Sequence, residues 1–203
     1  YINGTIDSQF AGGIVVADNS TFFNNEIDVA FASYPKLNKS IFTQTNFITN
    51  GLLNDTDVYP YYHIGFWGID DVYIKGCQFI NETPELYSPD QQGIAISALN
   101  SRFFVDADCG MFPSCATPVR SHIENMSQGI MALGLFMSMP YKIDRTDFVN
   151  NYKGIYTSNL NRFVIQRCNF EVYKSASPNY VFETVGLHID NCTGFIVQEN
   201  HFE

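Results

Sequence analysis

Short stretches in which apolar and polar residues alternate, broken every few positions by Asn or Gly, fill most of the chain. KIDRTDF (142–148) and RFVIQRCNF (162–170) are typical. A period of two is that of a strand with one face turned inward, and helical periodicity is nearly absent. The stretches also repeat. A large apolar residue closes each one: Phe22, Phe47, Phe79, Ile123, Phe148, Phe170 and Phe202. Two positions earlier stand small or compact residues: Ser20, Thr45, Cys77, Ser121, Thr146, Cys168 and Asn200. Five earlier come Ala17, Phe42, Ile74, Pro118, Ile143, Ile165 and Val197; seven earlier, Val15, Ser40, Val72, Ala116, Tyr141, Phe163 and Phe195. The fourth copy, around Ile123, matches least well. Asn follows the anchor in most copies (Asn24, Asn50, Asn81, Asn125, Asn150). A second strand then opens at Gly93-Ile94, Gly129-Ile130, Gly154-Ile155 and Gly186-Leu187, with Val29 and Ile64 in the same role.

The anchors lie 22 to 44 residues apart. A minimal coil therefore has 22 to 25 residues, and the longer ones carry insertions, expected near 50–62, 82–92, 98–118 and 172–185. One coil cannot bury its inward residues by itself. Coils stacked at the strand spacing of about 4.8 Å bury a continuous column and pair their backbones. The expectation is an all-β chain: a solenoid, a parallel β-helix of about seven coils, in which like residues sit on like.

The GI-x-I…F-x-x-N pattern resembles that of the right-handed parallel β-helix proteins, the pectin-lyase-like superfamily, and in particular the repeat-rich secreted proteins of Bacteroidetes. The resemblance covers nearly the whole chain. It implies a single-stranded helix, its right-handedness and a bacterial, secreted or surface-attached source. It does not assign a function, because the fold hosts lyases, hydrolases, adhesins and phage tailspikes. No capping helix is recognisable, so residues 1–203 are expected to be a segment of a longer chain with flanking domains as neighbours.

Composition narrows the field. Hydrophobic residues make up 45% of 203 and charged ones 16%, with a net charge of -10. That balance speaks against nucleic acid, whose phosphates need clustered Lys and Arg. The best apolar run, GIMALGLFMSMP (129–140), is too short to enter a membrane as a spanning helix. Of the five Cys, Cys109 and Cys115 share a Pro/Gly-rich stretch and are disulfide candidates, in keeping with an extracellular or cell-surface location. Cys77 and Cys168 fall at core positions.

Candidate chemistry is sparse. Of the NTD, DD, GHG and RIK motifs of the polygalacturonase-like branch, only a DD pair occurs, Asp70-Asp71. Arg145 and Arg167 are expected to form an outward ladder, offset by acids such as Asp147. With Ile64, Ile94, Ile130, Ile155 and Leu187 inward, the outward neighbours on the second strand are Gly65 and Trp67, Ala95 and Ser97, Met131 and Leu133, Tyr156 and Ser158, and His188 and Asp190. That strip is small and apolar, so either insertions (33–39, 98–118, 134–140) or a partner should cover it. His188 and Asp190 are alternate outward residues and an acid/base candidate. VYPYYHIGFW (58–67) gathers Tyr59, Tyr61, Tyr62 and Trp67, either a platform for a sugar or an insertion packed on the flank. Asp55, Asp57, Asp70 and Asp71 flank it and leave Ca²⁺ open as a ligand; no other cofactor or metal is implied.

The leading expectation is a non-catalytic stalk, adhesin or scaffold that binds a glycan or protein on the outward strand face. The alternative is a polysaccharide lyase or glycoside hydrolase whose acids come from insertions, such as Asp106 and Asp108. A third reading is a subunit that docks on another protein through Met131 and Leu133.

Overall fold

The computed structural model describes residues 13–32, 39–53, 58–110, 115, 117–135, 139–172 and 184–203. Among these residues, twenty strands wind through three sheets in strict rotation. Sheet A holds β1 (Val16–Asp18), β4 (Ile41–Thr43), β7 (Asp70–Lys75), β10 (Arg102–Asp106), β13 (Lys142–Asp144), β16 (Val164–Gln166) and β19 (Ile196–Gln198). Sheet B holds β2 (Thr21–Phe23), β5 (Asn46–Thr49), β8 (Gln78–Asn81), β11 (Ser121–Glu124), β14 (Thr146–Asn151), β17 (Asn169–Val172) and β20 (His201–Phe202). Sheet C holds β3 (Ile27–Phe31), β6 (Tyr62–Trp67), β9 (Ile94–Leu99), β12 (Gln128–Leu133), β15 (Lys153–Ser158) and β18 (Val185–Asp190). All ladder pairs are parallel, each strand lying on its equivalent one coil away. This is a parallel β-helix: six complete coils and two strands of a seventh.

All seven anchors share one column of sheet B, Phe22 on Phe47 on Phe79 on Ile123 on Phe148 on Phe170 on Phe202. Their rings lie nearly parallel: Phe47 and Phe79 are 4.6 Å apart at 3°, Phe148 and Phe170 4.8 Å at 4°. A second aromatic column on sheet A's inner side runs Phe103, Tyr141, Phe163, Phe195, with centroids 4.9 to 5.2 Å apart. The ladder spacing of about 4.8 Å is also a good separation for stacked rings, so backbone pairing and side-chain packing ask for the same geometry.

The small residues two before each anchor have a shared purpose at the A–B corner. The residue just ahead of them takes a left-handed conformation at Asn19, Gln44, Gly76, Arg145, Arg167 and Glu199 (φ 45 to 59°). The next side chain then bonds back to the last carbonyl of the sheet A strand. Ser20 donates to Asp18, Thr45 to Thr43 and Thr146 to Asp144 at 3.1 to 3.2 Å, and the thiols of Cys77 and Cys168 do the same toward Lys75 and Gln166. A short hydroxyl or thiol closes the turn without crowding the core.

The fourth coil explains its own poor match. Val105, not Pro118, stands beside Ile74 and Ile143, and Phe103 replaces Ala116. The expected insertion 98–118 starts later, because 94–99 and 102–106 are strands. The extra residues enter inside the A–B corner. They are clamped at their base by mutual Asp108–Val119 backbone bonds (2.7 and 2.9 Å) and joined by the Cys109–Cys115 disulfide. Ser121 still donates to the Asp106 carbonyl at 2.8 Å across the insertion, so the corner stays closed. Insertions between sheets B and C carry two short 3-10 turns, Pro84–Leu86 and Pro89–Gln91.

Ring stacking in the Phe column sets a clear expectation. Phe79→Ala, at a fully buried site between Phe47 and Ile123, should cost about 3–5 kcal/mol. Phe23→Ala, on the outward side of β2 and 54% exposed, should cost under about 0.5 kcal/mol. Urea unfolding of both variants checks this; equal losses would contradict the column as the main support.

Candidate functional site

With the interior filled, chemistry has to come from the outward columns. Sheet C presents Ala30, Gly65, Ser97, Met131, Tyr156 and His188 in one row, and Trp67, Leu99, Leu133, Ser158 and Asp190 in the next. The expected phase fails on β9. Ile96, not Ile94, stands in the inward column with Ile64 and Ile130, and Ala95 is fully buried. Two kinds of glycine cause the slip. Gly93 has φ +83° and turns the chain into the strand. Gly129 and Gly154 sit two positions further along the coil, where a Cβ has no room: one on Gly129 would lie 2.5 Å from the Gly154 carbonyl oxygen and 2.9 Å from the Phe148 ring. Ala95 occupies this narrow column on β9.

On the first two coils the same column carries Asp28 and His63, whose side chains are both buried. His63 Nδ1 lies 2.5 Å from Asp28 Oδ2, Asn25 donates to Asp28 Oδ1 at 2.7 Å, and the imidazole lies 6.1 Å from both the Phe47 and Phe79 rings. The pair is enclosed and fills the corner that glycine leaves tight elsewhere.

The aromatic segment divides. Tyr61 and Tyr62 are 5.0 Å apart, and the Tyr62 ring covers Gly65. Trp67 lies at the far end of β6, 63% exposed, and heads the row continued by Leu99 and Leu133. Met131 and Leu133 are half-buried in the two outward rows. His188 and Asp190 are exposed on β18 but engaged separately: His188 meets the Tyr156 ring edge-on at 5.1 Å, and Asp190 accepts from Ser158 at 3.0 Å. Asp70 and Asp71 turn the corner onto sheet A, where Arg102 Nε approaches Asp70 at 2.5 Å and the Tyr73 hydroxyl donates to Asp71 at 3.0 Å. Asp55, Asp57 and the insertion residues 33–38 and 136–138 lie outside the described residues. Among the described residues no three His, Cys, Asp or Glu side chains converge on a metal position.

Sheet A's outer side is an ion-pair network. Asp144, 1% exposed at its side chain, accepts from Arg167 Nε at 2.8 Å and again from Arg167 Nη2, from Gln166 at 2.7 Å and from Lys142 at 2.8 Å. Burial alone would raise its carboxyl, but these donors outweigh it and hold it at about 2. One coil away Asp106 is pushed up by burial, the Ala107 amide and Arg145 offsetting part of it. Two carboxyls driven apart this way are the usual mark of an acid/base pair. Here Asp144 is held by four donor contacts and its side chain is only 1% exposed, so the arrangement clips three coils together. The Arg ladder is real, with different partners from those expected: Arg145 faces Asp106, Arg167 holds Asp144, and Asp147 is bonded by Arg120 at 2.8 Å.

Sheet B's outer side carries a groove of about 330 Å³ between β11 and β20, lined by His122, Asp147, Val149, Asn169, Glu171, His201 and Glu203. The sequence signal for it is a His-x-Glu around two anchors, at 122–124 and 201–203.

Asp144 yields a pH test. Its folded pKa lies below the unfolded value of about 3.9, so its contribution, about 2 kcal/mol, is complete above pH 4 and lost as pH falls toward 2. Asp106, with a raised pKa, acts in the opposite sense, so the wild type must be compared with Asp144→Asn. Chemical unfolding should show the variant less stable by about 2 kcal/mol at pH 7 and the gap closing between about pH 4 and 2. A gap of constant size would contradict the clip. No family model, no curated protein and no solved structure matches the chain.

Proposed function

We propose that the chain is a non-catalytic segment of a secreted or cell-surface β-helical protein of the pectin-lyase-like kind, and that it binds an uncharged glycan on the outer face of sheet C. The carrying observation is the in-register row Trp67–Leu99–Leu133 beside Gly65, Ser97, Met131 and Tyr156. On β6, β9 and β12 this face presents no charged side chain; Lys153 on β15 and Asp190 on β18 are its first. Over those three strands the face has no cation to offer a uronate or sulfate. The carbon-bound faces of sugar rings are apolar and lie flat on aromatic side chains, and Trp67, Tyr61 and Tyr62 stand at the edges of this face. The Cys109–Cys115 disulfide supports an oxidising compartment.

A lyase or hydrolase is less well supported by the same geometry. Asp70, Asp144 and Asp147, which such chemistry could use, are already tied to Arg102, Arg167 and Arg120.

Trp67 is the only Trp, so its emission reports directly on the face. Titration with soluble neutral glucans, mannans and xylans should shift that emission for at least one of them, and Trp67→Ala should weaken retention on the same polymer tenfold or more, a loss of at least about 1.4 kcal/mol. Unchanged emission with every neutral polymer, or retention indifferent to Trp67→Ala, would sink the proposal.

A further inference from the structure

The middle outward column of sheet C reads Ala30, Gly65, Ser97, Met131, Tyr156 and His188. Every coil but the second carries a side chain there, so the ladder itself does not require glycine. Gly65 also keeps an ordinary strand conformation, unlike the left-handed Gly68. What needs the glycine is Tyr62. A Cβ on Gly65 would lie 2.4, 2.7 and 3.1 Å from the adjacent ring atoms Cε2, Cζ and Cδ2. Three neighbouring atoms at such even distances place that point over the face of the ring, not off its edge. The Tyr62 ring therefore lies flat on the outside of sheet C. One face rests on Gly65 and the other is turned to solvent, which leaves the residue half-buried.

The ladder holds this plate in place. The Tyr61 amide donates to the Glu26 carbonyl at 3.0 Å, and the Tyr61 carbonyl accepts from the Ile94 amide at 3.1 Å. Tyr62 is in register with Ile27 and Ile94, so coils on both sides fix its backbone. The Tyr61 ring, 53% exposed, stands 5.0 Å away and inclined at 45°. Trp67 follows Gly65 by two residues on the same face, about 6.6 Å along the strand. Ala30 and Ser97, before and after Gly65 in the column, are short and do not overhang the plate. A mere cover for the strand would need no ring: alanine at 65, as at 30, would serve, and glycine inside a strand weakens it.

Resting on the glycan reading of this face, we propose that Tyr62 is its main sugar platform and that Gly65 is a positioning residue that lets the ring lie flat. The ligand is a ribbon-shaped, β-1,4-linked neutral glycan, with one sugar on Tyr62 and the next toward Trp67. Equatorial linkages keep consecutive rings extended with their apolar faces along the flat sides of the ribbon, so two in succession can rest on one strand. An α-1,4-linked glucan coils and turns its next ring away from a flat surface.

Trp67 emission on the full chain, titrated with cellohexaose, mannohexaose and maltohexaose, tests this. At least one of the two β-1,4-linked sugars should bind tenfold or more tighter than maltohexaose. Tyr62→Ala and Gly65→Ala should each weaken that binding at least tenfold, whereas Tyr62→Phe should retain it. Adding Gly65→Ala to Tyr62→Ala should cost nothing further, because the glycine acts only through the ring. The urea midpoint of Gly65→Ala should equal or exceed that of the wild type, which separates lost binding from lost folding. Full binding by Tyr62→Ala or Gly65→Ala, with loss in Trp67→Ala, would overturn the platform and leave the glycan reading standing. Maltohexaose binding as tightly as the β-1,4-linked sugars would overturn the ribbon. Unchanged emission with every neutral sugar and polymer would remove the glycan reading, and this inference with it.

Discussion

The vertical stacking of one coil's inward side chains on the next governs everything else in this molecule. A strand of three to six residues has too little apolar surface to pay for ordering its backbone, and the three inner faces of one coil enclose too small a core by themselves. What each has is an identical neighbour about 4.8 Å away. Phe22, Phe47 and Phe79 stack nearly parallel because the backbone ladder places them at a distance aromatic rings also favour. Stability is then close to a sum of nearest-neighbour terms along the stack, and a defect on one coil is felt mainly by the coils above and below it.

The same constraint sets what the sequence discloses. Inward positions must repeat, so the anchor column, the compact residues before it and the turn Asn were legible, and with them the parallel β-helix itself. The A–B corner was legible for a further reason: Ser20, Thr45, Cys77, Ser121, Thr146 and Cys168 all supply the same back-bond. The errors arose where two physical causes choose one residue type. Gly93 is needed for its left-handed backbone and Gly129 for the absence of a Cβ; treating them as equivalent shifted β9 by two residues. On the fourth coil an insertion separates Ile123 from its sheet A strand, so the spacing points to Pro118 where Val105 belongs.

The outward surface was much less legible, since no neighbour forces those positions to match. Sequence marked Trp67, Met131, Leu133, His188 and Asp190, and the structure places them on the same face of sheet C, but Asp70 and Asp71 turn onto sheet A to meet Arg102. Asp144 and its four donor contacts were missed because Lys142, Gln166 and Arg167 come from two coils and a corner, a grouping only the register reveals. The groove on sheet B was missed for a subtler reason: it is defined by what is short, Asp147, Val149 and Asn169, between His122 and His201.

That division says where specificity can reside in such a fold. The three outer sheets share one scaffold and one spacing, yet sheet A is occupied by ion pairs, sheet B is acidic and notched, and sheet C is apolar and nearly uncharged over its first coils. Because the outward side chains meet one another on the outside of the coils and not the inner columns, these faces can differ without disturbing the interior. Asp28 and His63 mark the limit of that freedom. They sit where later coils use Ala95, Gly129 and Gly154, and a polar pair is tolerated there only because each partner satisfies the other inside the corner. Removing one partner would leave a buried polar group unpaired, whereas the exposed Glu171 can be changed at no cost to the core. Recognition is therefore free to vary along the outside of the solenoid, coil by coil, so long as the column inside continues.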